Sequence, residues 1–306
     1  MNKTVVGHAA SFATYSIFGL NIAMCKDIAN NDVLSPYALF LLRAGGATLL
    51  FWLVSLFMPK EHVSKADMKQ IVLASFIGLF VPQMTFLVAI TMTTSIDTSI
   101  LSSLTPIMTM FMAAWFLKEP ITWKKVTGVA LSFVGVLVLI LTSMQTGGSV
   151  TRTEPMGIVL LFVNCLSFAV YLGAFRPLIS RYHVVTFMKW MFLYTLIICL
   201  PFCTSDAIRF LTTDAASLAS AGGTSLILEI LYVVVFATFL AYFLIPIGQK
   251  HLRPTLVSIY SYVQPIFAVI ISICVGLDVL SWPKVLAIVL VFAGVGIVNQ
   301  SRAKAS

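Results

Sequence analysis

TSILSSLTPIMTMFMAAWFLKEPITWKKVTGVALSFVGVLVL, residues 98–139, aligns without a gap on VSIYSYVQPIFAVIISICVGLDVLSWPKVLAIVLVFAGVGIV, residues 257–298. Ser102 meets Ser261, Pro106-Ile107 meets Pro265-Ile266, Trp123 meets Trp282, and Lys125-Val126 meets Lys284-Val285. Phe133-x-Gly135-Val136 meets Phe292-x-Gly294-Val295, and Glu119 meets Asp278. Apolar bias explains chance matches of Leu, Ile and Val. It does not explain matched Pro, Trp, Lys and Gly at one fixed offset of 159. Each copy holds two apolar runs around a short polar turn. A helical run of ~20 apolar residues crosses the ~30 Å hydrocarbon layer of a bilayer.

The same kind of run recurs along the whole chain. Ten are predicted, near 4–24, 36–58, 70–92, 97–117, 123–144, 156–175, 184–204, 226–248, 255–277 and 283–300. The 306 residues are 59% hydrophobic and 10% charged, against ~25% charged in soluble domains. A soluble fold of this length has no core for ten apolar helices. The predicted class is therefore an all-α membrane protein with 10 transmembrane helices. The first run is too long for a cleavable signal peptide, and no small-x-small site ends it. Cys25, Cys165, Cys199, Cys203 and Cys274 lie in or at the edge of apolar runs and read as small buried hydrophobes.

The loops then sort by charge. With the N-terminus inside, the inner loops and ends hold Lys3, Lys60, Lys65, Lys69, Lys118, Lys124, Lys125, Arg176, Arg181, Lys189, Lys250, Arg253, Arg302 and Lys304. The outer ones hold Lys26, Arg152, Arg209 and Lys284, and Arg43 stays within a run. Positive residues gather on the cytoplasmic side, so both termini are expected in the cytoplasm. The net charge of +8 is explained by these loops, and no basic stretch with interleaved aromatics suggests nucleic acid.

The offset divides the runs into five and five. Five is odd, so the two halves enter the bilayer from opposite sides, giving a 5+5 inverted repeat. The boundaries expected are 1–145 for the first repeat, 146–154 for a linker, 155–302 for the second repeat and 303–306 for a tail. Two copies of one fold in opposite orientation give two states of similar energy, one open to each side.

Three stretches carry a family resemblance. They are Leu104-Thr-Pro-Ile107 followed by Phe116-Leu-Lys-Glu-Pro-Ile-Thr-Trp-Lys-Lys125, its second copy from Val257 to Val285, and Phe18-Gly-Leu-Asn21 followed by Lys26, Pro36 and Arg43. The pattern resembles the drug/metabolite transporter superfamily, in particular permeases with two EamA-type domains. In the second half, Phe168 to Tyr171 stands in place of Phe18 to Asn21, and no Arg stands where Arg43 maps. The resemblance implies a secondary transporter of the cytoplasmic membrane. It would move small polar or amphiphilic metabolites, such as amino acids or related compounds, outward by alternating access. A lipid flippase or another non-catalytic membrane protein of the same fold is the alternative.

Chemistry inside the bilayer narrows the candidates. Pro106 and Pro265 free the carbonyls of Ser102 and Ser261, and Pro82 frees that of Gly78, because proline has no N–H. A bare carbonyl in hydrocarbon must face protein, water or ligand. These prolines are either hinges beside a site or packing kinks. Arg43 lies seven residues, about 10 Å, from the outer end of its run. It is either an anion contact, with a gate partner in Asp97 or Glu229, or an arginine that reaches out to the interface. Asn21, Gln83, Asn164, Tyr171, Tyr242, Tyr260, Tyr262 and Gln264 are polar groups within apolar runs. They are substrate-cavity candidates together with Ser102 and Ser261, or else interhelical hydrogen-bonding groups. Amide and phenol groups suit a polar organic solute with an apolar part. No Gly-x-x-x-x-Gly-Lys-[Ser/Thr], His-Glu-x-x-His or Ser/His/Asp pattern is present, so no enzyme activity, cofactor or metal is expected. The expected partners are the bilayer and a small-molecule substrate.

Overall fold

A computed structural model describes residues 3–31, 34–93, 95–144, 154–210, 212, 223–274 and 281–301. All of the regular structure among them is helical, and each predicted apolar run is a helix or a broken helix. We number them α1 (Lys3–Asn30), α2 (Pro36–Leu56), α3 (Lys65–Met92), α4a (Ser95–Ser102) with α4b (Thr105–Leu117), and α5 (Trp123–Met144). The second half holds α6 (Pro155–Ala174), α7 (Val184–Arg209), α8 (Gly223–Val234 continuing through Ala241–His251), α9a (Pro254–Ile259) with α9b (Val263–Cys274), and α10 (Trp282–Asn299). Among the described residues, six helices are long and apolar enough to cross a membrane: α2, α3, α6, α7, α8 and α10. The chain is a multi-pass, all-helical membrane protein. The expected linker up to residue 153, the tail 303–306 and Asp278 lie outside the described residues.

The starts of the helices follow local chemistry. Ser35 caps α2 by accepting from the Ala38 N–H at 3.1 Å, with Pro36 in the first turn. Ser64 caps α3 in the same way through the Asp67 N–H. Pro155 and Pro254 also sit where a helix has no need of their missing donors. Several ends depart from expectation. α1 runs six residues past its apolar stretch, because Lys26 finds acceptors there: Nζ donates to the carbonyls of Ile90 (3.0 Å) and Thr93 (2.9 Å) at the end of α3. Beyond the predicted run of 184–204, α7 continues to Arg209.

Two helices expected to be continuous are broken at equivalent places. α4 is interrupted at Ser103–Leu104, just before Pro106. α9 passes through a tight 3₁₀ turn at Tyr260–Tyr262, just before Pro265. α3 and α8 each contain a π-helical turn, Phe76–Phe80 and Val235–Leu240, again at the offset of the repeat. Such turns are single interruptions of α-helix and gather at functional sites. Pro82 follows the first turn, but its counterpart after the second is Ala241, so proline is not what creates the turn.

Packing obeys the same offset. α5 and α10 run antiparallel. Thr122 and Ser301 share a 2.8 Å hydrogen bond, Gly128 lies against Gly294 and Val298, and Gly135 lies against Ala287. Between these contacts Ser132 Oγ donates to the Val291 carbonyl at 3.0 Å, and those two residues are 159 apart. Exchanging the halves turns the Gly128–Gly294 contact into the Gly135–Ala287 contact and leaves Ser132–Val291 on itself. A local two-fold therefore passes through this pair. A Cβ at Gly128 would lie 2.7 Å from the Gly294 carbonyl, and one at Gly135 would lie 2.8 Å from the Ala287 carbonyl. Backbones approach this closely only where side chains are absent, and in lipid such contact is what holds helices together. The other neighbours pair likewise: α1 packs on α8 as α6 packs on α3, and α4b packs on α6 as α9b packs on α1.

The second half also repeats the Lys26 contact. Arg176 follows Tyr171 by five residues, as Lys26 follows Asn21. Its Nε donates to the Gln249 carbonyl (3.2 Å) and its Nη2 to the Leu252 carbonyl (3.0 Å) at the end of α8. Gln249 and Leu252 are the repeat mates of Ile90 and Thr93. Burial pulls the Arg176 pKa down, and the nearby Glu119 carboxylate opposes this.

Candidate functional site

Where the halves meet, a cavity of about 630 Å³ (its open mouth included) lies between α1, α2, α3, α4, α6, α8 and α9. Its position follows from the breaks just described. The π-helical turn of α3 comes just before Pro82 and Gln83, and that of α8 just before Tyr242. The interruption of α4 falls between Ser102 and Thr105. The 3₁₀ turn of α9 contains Ser261 and precedes Gln264. All seven of these residues line the cavity. Irregular backbone, which lipid does not tolerate, is thus turned toward a space that can hold water or solute.

The lining is largely made of repeat mates. Gln83 faces it with Tyr242, Ser102 with Ser261, Thr105 with Gln264, and Phe18 with Phe168. Asn21, Asn164, Tyr15, Ile22 and Phe86 complete the wall, and α2 adds Arg43. Of the predicted site residues, Asn21, Gln83, Ser102, Asn164, Tyr242, Ser261, Gln264, Arg43 and Pro82 are therefore brought together.

Others are not. Tyr171 is fully buried, its ring in the notch over Gly78, and its hydroxyl has no protein partner. Tyr262 is also fully buried and donates to the Val129 carbonyl of α5 at 3.4 Å. Tyr260 shares a 2.8 Å hydrogen bond with His8. Pro106 and Pro265 are buried behind the lining in the first turns of α4b and α9b, where they mark the breaks without facing the space. Asp97 sits in the first turn of α4a, away from the lining. It is not the partner of Arg43, and neither is Glu229. Arg43 Nε donates to Thr238 Oγ1 at 2.9 Å, and Nη1 approaches Cys25 Sγ at 4.0 Å.

Sequence reasoning missed the aromatic part of the wall: Tyr15, Phe18, Phe86 and Phe168. A ring within an apolar run carries no mark of which way it points. Thr105 was also missed, although a signal existed, since it is the repeat mate of Gln264.

Several polar atoms of the lining are buried with no protein partner: both ends of the Gln83 amide, Ser261 Oγ and the Tyr15 hydroxyl. The Gln83 amide lies within reach of the Tyr242 hydroxyl, but neither end of it is in hydrogen-bond geometry with a protein group. Asn164 is held differently, with Nδ2 donating to the Pro82 carbonyl at 2.6 Å. Buried polar groups are normally paired. A group of them converging on one space is what a polar ligand would satisfy.

Comparison with known proteins bears on the fold and the class of activity. The sequence pattern of the EamA-like transporter family matches residues 5–141 and again 155–300. An uncharacterized transporter of Archaeoglobus fulgidus is 27% identical over 209 residues, 68% of each chain. The uncharacterized transporter YetK of Bacillus subtilis is 24% identical over 276 residues, 89% of this chain and 80% of its own. A protein solved by crystallography superposes with a TM-score of 0.73 at 16% identity, covering 97% of this chain and 96% of the other. That last likeness is one of fold alone.

Proposed function

We propose that this chain, which belongs to the EamA-like transporter family, is a secondary transporter that carries small polar or amphiphilic metabolites by alternating access. Amino acids and related compounds are the class, and export across the cytoplasmic membrane is the direction. In this reading ten helices cross the bilayer with both termini in the cytoplasm. Two five-helix repeats, 1–145 and 155–302, face opposite ways across the joint of residues 146–154.

The observation that carries the proposal is the cavity lined by repeat mates. A solute held near a two-fold axis contacts both halves. Rocking the halves then exposes it to one side or the other without rebuilding the site. The breaks in α4 and α9 supply flexible points beside it, at Pro106 and Pro265. Binding shifts the balance between the two states only as far as its contacts differ between them.

The test is exchange in proteoliposomes. Vesicles loaded with a pool of unlabelled metabolites should take up a labelled member of the pool by counterflow. Labelled lipid moving between leaflets, with no solute exchange, would replace this reading with that of a flippase. Topology has its own check. A single reactive cysteine at Ser149 in a cysteine-free background should be labelled from outside the cell, and labelling only after lysis would sink the inverted arrangement.

A further inference from the structure

Resting on the transporter reading, and narrowing its solute class from amino acids to related compounds that lack the ammonium, we infer that the substrate is an amphipathic monocarboxylate whose anionic end is held by Arg43. Net charge, rather than a zwitterionic headgroup, is then what the cavity selects.

Among the described residues, Arg43 is the one lining residue with a fixed charge, and no carboxylate is in the lining. The side chain is 2% exposed, so water screens it little. A guanidinium has five N–H donors and no acceptor. Its recorded partners, the Thr238 hydroxyl and the Cys25 sulfur, are both neutral. Among the described residues the ion pairs are Lys125–Glu119 and Arg181–Asp67, so Arg43 has no carboxylate partner. Glu229 and Asp27 lie together, with Glu229 near Cys25, and both are outside the lining. A buried charge without a counterion is costly, and an anion entering the cavity removes that cost. The bond to Thr238 and the contact with Cys25 are both to neutral groups, and they orient the guanidinium while leaving donors free for a carboxylate.

The absence of an acid among the lining residues decides the second half of the inference. The ammonium of an amino acid would find amide oxygens and ring faces, but no carboxylate to balance it. A monoanion leaves no such charge over. Gln83 and Ser261 offer unpartnered groups to a hydroxyl, carbonyl or amide on the same solute. Phe18, Phe86 and Phe168 receive its apolar body. The site is also lopsided. α2 contributes Arg43 to the lining and its counterpart α7 contributes nothing, so the carboxylate lies toward the first half while the rest of the solute straddles the axis.

Two charge series test this on purified protein in nanodiscs, read as apparent affinity from thermal shift. One is 3-phenylpropanoate, phenylalanine, 3-phenylpropylamine and 3-phenylpropanamide. The other is 4-methylpentanoate, leucine, isoamylamine and 4-methylpentanamide. The carboxylate of at least one series should bind about tenfold tighter than its zwitterion and its amide. Arg43→Gln should bring the carboxylate down to the level of the amide, and Arg43→Lys should keep part of the difference. Should Arg43→Gln not fold, the wild-type series and Arg43→Lys decide the matter. A zwitterion or amine that binds as tightly as its carboxylate overturns the inference, and so does a carboxylate preference that survives Arg43→Gln. Exchange of zwitterions by a protein that ignores every monocarboxylate also overturns it, while leaving the transporter reading intact. A protein that exchanges no solute at all loses the transporter reading itself.

Discussion

The corner formed by Lys26 and the corner formed by Arg176 are the same construction made twice. In each, a cation near the C-terminal end of one helix closes on two carbonyls at the C-terminal end of another, Ile90 and Thr93 in the first half and Gln249 and Leu252 in the second. Unsatisfied carbonyls gather at a helix C-terminus along with its partial negative charge, so a cation suits either place. The side chains differ, ammonium against guanidinium, yet the geometry is shared. The cavity behaves in the opposite way. There the backbone breaks are shared, but the groups they present diverge: Gln83 against Tyr242, Thr105 against Gln264, and Arg43 against nothing from α7. Scaffold and site are thus separable in one chain. Symmetric contacts build the frame, and asymmetric side chains give it a chemistry.

The comparison is broken most violently at the α5–α10 seam. A Cβ on Gly294 would collide with Ser132 Oγ and the Gly128 carbonyl, whereas a Cβ on Gly296 meets nothing within 4 Å. Gly294→Leu should therefore cost about 3 kcal/mol or more, at the upper end of overpacking effects, and leave little monodisperse protein on size exclusion. Gly296→Leu, two residues away on the same helix, should melt like the wild type. Equal behaviour of the two variants would show that the two-fold contact at Ser132–Val291 does not hold the halves together.

A second, smaller effect sharpens the likeness of the two corners. Arg176→Met and Lys26→Met each remove a charged donor from two carbonyls. Hydrogen bonds to charged groups are worth about 1.5–3 kcal/mol each, so both variants should melt well below the wild type. Arg176→Met should lose more, because its fork reaches each carbonyl from a separate nitrogen while Lys26 serves both from one. Lys26→Arg should retain most of the stability. If Lys26→Met melts unchanged, the outer corner is decoration, and the likeness is one of sequence position only.

Much of the frame was legible in the chain because lipid makes the signal simple. Length and apolarity mark a helix, and polar residues recurring at one offset mark a repeat. That offset already paired Ser102 with Ser261 and placed the two prolines. It could also have paired Gln83 with Tyr242 and Thr105 with Gln264. Direction around the helix axis was not legible. In a soluble helix, polarity separates the buried face from the exposed one. In a membrane helix the lipid face and the packed face are both apolar, so Tyr171, Tyr262, Phe18 and Phe168 look alike in sequence. The structure parts them, sending Tyr171 into the notch over Gly78 and Phe18 and Phe168 to the wall. The π-helical turns were also hidden, since Pro82 and Ala241 follow equivalent turns and only Phe80 and Phe239 match within them.

The smallest expected effect separates the site from the frame most cleanly. Both ends of the Gln83 amide are buried without a protein partner. A group in that condition destabilises the empty protein, because desolvation is not offset by a bond. Gln83→Leu, similar in size and without the amide, should raise stability by about 1 kcal/mol. The same variant should bind substrate less well, having lost the group that reads it. Its repeat mate gives the contrast: Tyr242→Phe keeps the ring packed against Phe18 and Phe192, and its melt should stay within about 0.5 kcal/mol of the wild type. Opposite signs for melting and for counterflow in Gln83→Leu are the mark of a residue placed for a ligand. A fall in both would return Gln83 to the frame, as ordinary interhelical packing.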